Sequence, residues 1–249
     1  VRPQDGSAYV QPAKNIRPLE QGFAFKIVSG KKTIIKKLEE TDWDEILFEA
    51  TYPMAKVHYI DHSLGLDITA SIFSPFIPLD EKNSGLPCTI YSFSVKNNTT
   101  KEVTVSVLGW LENKIMPTSK KDTDVRQNSF ESFTNCAVLS SSMQLNGSNN
   151  QQTLPDYGTM AIGAIDKTCK ANTAFTLPLS VQSFSNQNIN TSSKNVSDGP
   201  LLNSVCTKHV VRGGQTITVN FIIGWHFANL KLNPVIEGKG QIGRASCRE

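Results

Sequence analysis

Two carboxylates held about 5 Å apart can act as nucleophile and acid/base on a glycosidic bond. The residues able to supply such a pair are Asp42, Asp44, Glu45, Glu49, Asp61, Asp67, Glu112 and Glu131. None stands in a motif that fixes its partner. Asp42, Asp44 and Glu45 crowd around Trp43 in a stretch suited to a turn or a helix start, and Asp67 alternates with apolar neighbours, as a solvent-facing strand position does. His58, His62, His209 and His226 could move protons near neutral pH, yet no Ser/His/Asp order and no metal-ligand spacing joins them. Gly213 and Gly214 precede a strand rather than a helix, so they do not form a phosphate-binding loop. The expectation is therefore no catalytic residue, no bound cofactor and no metal within this chain.

Cys88, Cys136, Cys169 and Cys206 lie far apart without a CxxC pair, which argues against structural zinc. Cys88 sits in an apolar strand pattern, where a buried free thiol is expected; the redox compartment stays open. Flat tryptophan rings stack on sugars, and Trp43 is the most exposed candidate; Trp110 and Trp225 fall in apolar strand contexts that suit core or domain-interface packing. His226 lies beside Trp225 at the end of the last long strand.

The elements that must position these residues read as strands almost throughout. Gln21–Val28 and Lys32–Leu38 flank Ser29-Gly30 as a hairpin. Met54–Ile60 sets Ala55, Val57 and Tyr59 opposite Lys56 and His58. After a turn at residues 62–65, Leu66, Ile68, Ala70 and Ile72 alternate with Asp67, Thr69 and Ser71. Thr89, Tyr91, Phe93 and Val95, the polar turn at residues 97–100, then Val103, Val105 and Val107 read as a second hairpin. Ala137–Met143, Thr159–Ile165, Ala174–Phe184 and Thr216–Phe227 are further strands, and Ser185–Gly199 is a polar loop. Only Lys36–Phe48 has a helix-tolerant composition.

Composition narrows the class. With 39% hydrophobic and 19% charged residues the chain has the apolar mass for a packed core. A net charge of +3 without a concentrated basic stripe gives no footprint for nucleic acid. No run approaches the ~20 apolar residues that span a bilayer as a helix. The chain opens at Val1 within loop-like sequence, which predicts an incomplete N-terminal segment over residues 1–21. Residues 242–249, Ile-Gly-Arg-Ala-Ser-Cys-Arg-Glu, match the translation of read-through into a sequencing adapter. On that expectation Cys247 is not a native thiol, and the reading frame stops where the sequenced DNA stopped.

Gly22-Phe23-Ala24, Tyr52-Pro53-Met54-Ala55, the FSPFIPL segment Phe73–Leu79, Leu86-Pro87 and Gly224-Trp225-His226-Phe227 occur in an order that resembles the amino-terminal domain of glycoside hydrolase family 116. That family includes non-lysosomal glucosylceramidase, also called bile-acid β-glucosidase, and bacterial β-glucosidases. The resemblance runs from about Gly22 to Asn229 and is weakest in the Ser/Asn-rich middle. It implies an all-β, two-sheet, mainly antiparallel sandwich over residues 22–229, packed against an (α/α)6 barrel that carries both catalytic carboxylates. Residues 230–241 would begin the interdomain linker, and the barrel itself would be missing.

The function implied is non-catalytic support of a retaining β-glucosidase or glucosylceramidase-like enzyme. Its partner is the catalytic domain of the same polypeptide, and the β-glucoside substrate belongs to the whole enzyme. An autonomous carbohydrate-binding module and an extracellular adhesion-type sandwich are the alternatives. Exposed coplanar aromatics favour the module, whereas one large apolar patch near the end of the last strand favours a missing domain. Pro75, Pro78 and Pro87 cannot donate to a ladder, so the FSPFIPL passage is expected at an edge or crossover, with Phe73, Phe76, Ile77 and Leu79 buried on either side. Ile68, Ile90, Phe93, Val105, Ile217 and Phe221 are expected in the core.

Overall fold

A computed structural model describes residues 18–147, 149–185 and 194–229. Most of residues 1–21, expected to be an incomplete N-terminal segment, residues 230–241, expected to begin a linker, and residues 242–249, expected to be adapter read-through, therefore lie outside the described residues.

Fourteen strands and one short helix follow in order: β1 (Gln21–Ser29), β2 (Lys32–Lys37), β3 (Glu45–Thr51), β4 (Met54–Ile60), β5 (Leu66–Phe73), α1 (Glu81–Ser84), β6 (Cys88–Asn97), β7 (Val103–Glu112), β8 (Val125–Phe133), β9 (Cys136–Gln144), β10 (Thr159–Ile165), β11 (Lys170–Phe175), β12 (Lys194–Ser197), β13 (Leu202–Val211) and β14 (Thr216–His226). They form two sheets, β11-β13-β7-β1-β2 and β12-β8-β9-β10-β14-β6-β5-β4-β3. Every pairing is antiparallel. The expected two-sheet β-sandwich is the fold.

Alternation places the core between the sheets. Phe23, Phe25 and Ile27 of β1 and Val105 and Val107 of β7 face Phe93 and Val95 of β6 and Val219 and Phe221 of β14, all buried. The Phe23 ring lies 4.8 Å from Tyr91, 5.1 Å from Phe93 and 5.3 Å from Phe221 in tilted or edge-on packing. Gly109 on β7 makes room for it, because a Cβ there would sit 2.7 Å from the Phe23 ring. Full burial of such side chains stabilises the fold by roughly 1.5–3 kcal/mol each.

A smaller core lies on the outer face of the five-stranded sheet, where Ala24, Leu108, Trp110 and Cys206 are covered by Phe175 and Phe184. It explains why β7 is buried on both faces from Val105 to Glu112, apart from the usual alternation. It also corrects the expected strand over Ala174–Phe184. That strand ends at Phe175, and the chain turns through Leu177-Pro178 into a single 3-10 turn at Gln182–Phe184 so that both phenylalanines reach the sheet.

The second hairpin is also corrected. β6 and β7 do not pair: β6 lies between β5 and β14, whereas β7 lies between β1 and β13 in the other sheet. Residues 98–102 carry the chain across the sandwich. Period-two patterning specifies which face of a strand is buried, not which strand lies beside it. Lys36–Phe48 forms no α-helix; a 3-10 turn at Glu40–Asp42 joins β2 to β3. Ile90 and Ile217 are half-buried, while Ile68, Phe93, Val105 and Phe221 are fully in the core. β12 lies within the expected polar loop at residues 185–199, of which residues 186–193 are outside the described residues.

Candidate functional site

Each candidate carboxylate is tied to its own neighbourhood. Asp42 accepts the Lys37 amide at 2.6 Å, and Asp44 accepts the His62 amide at 2.8 Å. Asp61 accepts the Ser63 amide at 2.8 Å and hydroxyl at 2.7 Å and pairs closely with Lys36. Burial alone would raise the Asp61 pKa, but the bonds from Lys36 and Ser63 outweigh it and hold it down to about 2. Glu49 lies 3.6 Å from His58, and buried Glu112 accepts the Glu20 amide at 3.1 Å. Glu45, Asp67 and Glu131 are exposed. Asp42, Asp44, Asp61 and Glu112 thus bond backbone amides, while Glu45, Asp67 and Glu131 face solvent.

Two of the candidate histidines contact neighbouring polar groups. His58 bonds Thr69 at 3.2 Å across β4 and β5, and His209 Nε2 lies 2.8 Å from Asp166. Cys88, Cys136 and Cys169 are half-buried and Cys206 is buried, all as free thiols; Cys88 is thus less enclosed than its pattern predicted. Among the described residues no group of three or more His, Cys, Asp and Glu could hold a metal ion. No helix of the described residues is long and apolar enough to cross a membrane.

Trp43 reverses its expectation. It is 7% exposed, with its Nε1 donating to the Lys37 carbonyl at 2.7 Å and its ring wedged between Phe25 and Tyr59. Lys36 Nζ lies 4.9 Å from the centre of that ring and shields its edge from water. Trp110 is buried as expected, whereas Trp225 is 39% exposed.

The uncovered chemistry is apolar and lies at one end of the nine-stranded sheet. The register brings Thr51 opposite Met54, Met54 opposite Phe73, Phe73 opposite Ile90 and Cys88 opposite Gly224, so the ends of five strands meet there. From this end the 14-residue β5–β6 connection projects as an arm. Phe76 and Ile77 are about half exposed, Leu79 is fully exposed, and Leu86, Tyr52 and Met54 add to the same surface. Tyr52 and Phe76 pack edge-on at 5.5 Å and 65°. Trp225 borders them, its amide bonded to the Pro87 carbonyl at 3.0 Å.

The arm corrects the expectation that its apolar residues are buried. It joins two neighbouring strands of one sheet, so no second layer flanks it. Its polar groups are turned inward instead: Ser84 Oγ accepts the Ile77 amide at 2.8 Å and donates to the Ile77 carbonyl at 2.9 Å. Asp80 caps α1 by accepting the Asn83 amide at 3.0 Å. The sequence signal for this surface was the run of apolar residues without period two, bracketed by prolines.

The family described as "beta-glucosidase 2, glycosyl-hydrolase family 116 N-term" matches residues 8–241. No curated protein matches the chain. Among solved structures, a polysaccharide lyase is similar at 12% identity and TM-score 0.42 over 88% of this chain and 28% of its own. A family GH36 α-galactosidase from Geobacillus stearothermophilus, solved with raffinose, is similar at 8% identity and TM-score 0.40 over 91% of this chain and 36% of its own. The chain thus spans about a third or less of the length of these two structures.

Proposed function

Because the chain belongs to the glycosyl-hydrolase family 116 N-terminal family, and is a glycoside hydrolase-associated β-sandwich, we propose that it is the non-catalytic support of a retaining β-glucosidase or glucosylceramidase-like enzyme. A catalytic (α/α)6 domain of the same polypeptide docks on it, with residues 22–229 as the sandwich and residues 230–241 starting the linker. The hydrolysed β-glucoside is the substrate of that domain.

The observation that carries this reading is the apolar end of the nine-stranded sheet. Large exposed side chains at Tyr52, Phe76, Ile77, Leu79, Leu86 and Trp225 gather there, and contiguous apolar surface of this kind marks an interaction site rather than a solvated face. The edge-on angle of Tyr52 and Phe76 does not offer the flat, coplanar platform on which sugar rings stack, which counts against a free-standing carbohydrate-binding module. Asp42, Asp44, Asp61 and Glu112 serve local hydrogen bonds, which fits a supporting role.

The test is an assay of aryl β-glucoside hydrolysis by the full-length polypeptide and by this chain alone. Turnover is expected from the full-length protein and none from the chain. Hydrolysis by the chain alone, surviving removal of host glucosidases, would overturn the proposal.

A further inference from the structure

Resting on the reading that a catalytic domain docks on this sandwich, we infer that the arm Phe73–Leu86 is the element that seats it, with Leu79 as a knob entering an apolar groove on that domain. Three observations converge on the arm. Leu79 is fully exposed and holds φ at 67°, a left-handed conformation that a bulky side chain avoids. The turn Ile77-Pro78-Leu79-Asp80, closed by the Asp80 amide on the Ile77 carbonyl at 3.0 Å, holds that conformation and leaves the Leu79 side chain uncovered. Ser84, Asp80 and Asn83 brace the arm by hydrogen bonds to Ile77 and to one another, while Glu81 and Lys82 stay exposed, so its backbone meets a partner prearranged, with little ordering left to do.

The third observation is where the chain leaves. β14 ends beside the arm, since the Trp225 amide bonds the Pro87 carbonyl at 3.0 Å. Asn229 is then held by its Nδ2 on the Gln152 carbonyl at 2.6 Å. The following polypeptide thus departs from the same end of the sandwich that carries the apolar surface, and the family match continues to residue 241. A domain tethered there has a high effective concentration at the arm, so a modest apolar contact suffices to hold it. The occupant is the catalytic domain, not a second copy and not the linker itself.

The experiment uses the full-length polypeptide. A photo-crosslinking amino acid placed at Leu79 is irradiated and the linked peptides are identified by mass spectrometry, while calorimetry follows unfolding of wild type, the double variant F76D/L79D and the control V210D. Val210 is 52% exposed, about as much as Phe76, but lies on the other sheet. Crosslinks to catalytic-domain peptides, with one wild-type transition that splits into two in F76D/L79D but not in V210D, support the inference. Two independent transitions in the wild type would remove the supporting-domain reading itself. One wild-type transition with Leu79 linked only to residues 230–241, to a second copy or to nothing overturns the arm's role and leaves that reading standing. Should F76D/L79D fail to fold, the crosslink at Leu79 decides alone.

Discussion

Asn97, the last residue of β6, donates from Nδ2 to the carbonyl of Val211, the last residue of β13, over 2.9 Å, and so joins the two sheets at one corner. The same Nδ2 reaches the Lys101 carbonyl at 2.8 Å, while its Oδ1 accepts the Thr99 amide at 2.9 Å. The side chain is fully buried. This corner turns what reads as a hairpin into a passage from one sheet to the other. A tight two-strand reversal would satisfy these carbonyls with ladder bonds; here an amide side chain does it.

Asn97→Ala is expected to lower stability by about 1–3 kcal/mol, because it removes the side-chain donor to the buried Val211 carbonyl and the acceptor of the Thr99 amide, although the Lys101 carbonyl keeps the Thr99 hydroxyl. Asn97→Asp should cost more, since it keeps the acceptor for Thr99 but loses the donor and adds a buried charge. Urea unfolding with an unchanged slope would measure both. A loss under about 0.5 kcal/mol for the alanine variant, the range of an ordinary surface change, would refute the corner's role.

Gly22 and Trp110 supply a second test, on the outer core. A Cβ at Gly22 would lie 2.5 Å from Trp110 Cζ2, and the indole Nε1 donates to Glu20 Oε1 at 3.3 Å. Gly22→Ala must displace the ring or part β1 from β7, at about 1–3 kcal/mol. Displacement should also shift the tryptophan emission to the red, in the double variant W43F/W225F that leaves Trp110 as the remaining indole. An unchanged spectrum and unchanged stability would show that the ring has room to spare.

How much could be read from the residues depended on how each strand is buried. β5 and β14 each show one face to the core and one outward, so period two marks them plainly. β13 is buried on both faces from Asn203 to Thr207, with Ser204, Cys206 and Thr207 among the buried positions, and its alternation vanishes. Trp43 was misplaced because its setting among Asp42, Asp44 and Glu45 is polar in sequence, yet Asp42 and Asp44 turn to the Lys37 and His62 amides, Glu45 faces solvent, and the ring is left to the core. The apolar arm was legible as a segment but not as a surface. Whether Leu79 is covered depends on which layer lies above it, and that is a property of topology.

The thiols give a prediction that needs no substitution. Burial pushes Cys169 and Cys206 up to about 12, and raises Cys88 less far. Thiolate, not thiol, attacks an alkylating reagent. At pH 8 iodoacetamide should therefore leave Cys169 and Cys206 unmodified in the folded chain and modify both after denaturation without reductant, as mass spectrometry would report. Rapid native labelling of Cys206 would contradict the packing of Phe175 and Phe184 over the five-stranded sheet.

Asp61 gives the last prediction, in acid. Its folded pKa of about 2 lies below the ordinary value near 3.9 for an unfolded aspartate. A carboxylate depressed by folding contributes stability that is fully present above the unfolded value and is lost as pH falls through the folded one. Asp124 and Asp156 are depressed in the same direction, each because hydrogen bonds outweigh the opposing effect of burial. Stability should thus fall between about pH 4 and pH 2. Asp61→Asn keeps the shape but frees Lys36, which also covers Trp43 and bonds the Asp42 carbonyl. The variant should be less stable than wild type at pH 6, and the difference should hold down to about pH 4, shrink on further acidification and be gone only below about pH 2. A stability gap that stays constant from pH 6 to pH 2 would mean that Asp61 acts through packing alone, and that its pairing with Lys36 does not hold the β2–β3 connection against the sheet.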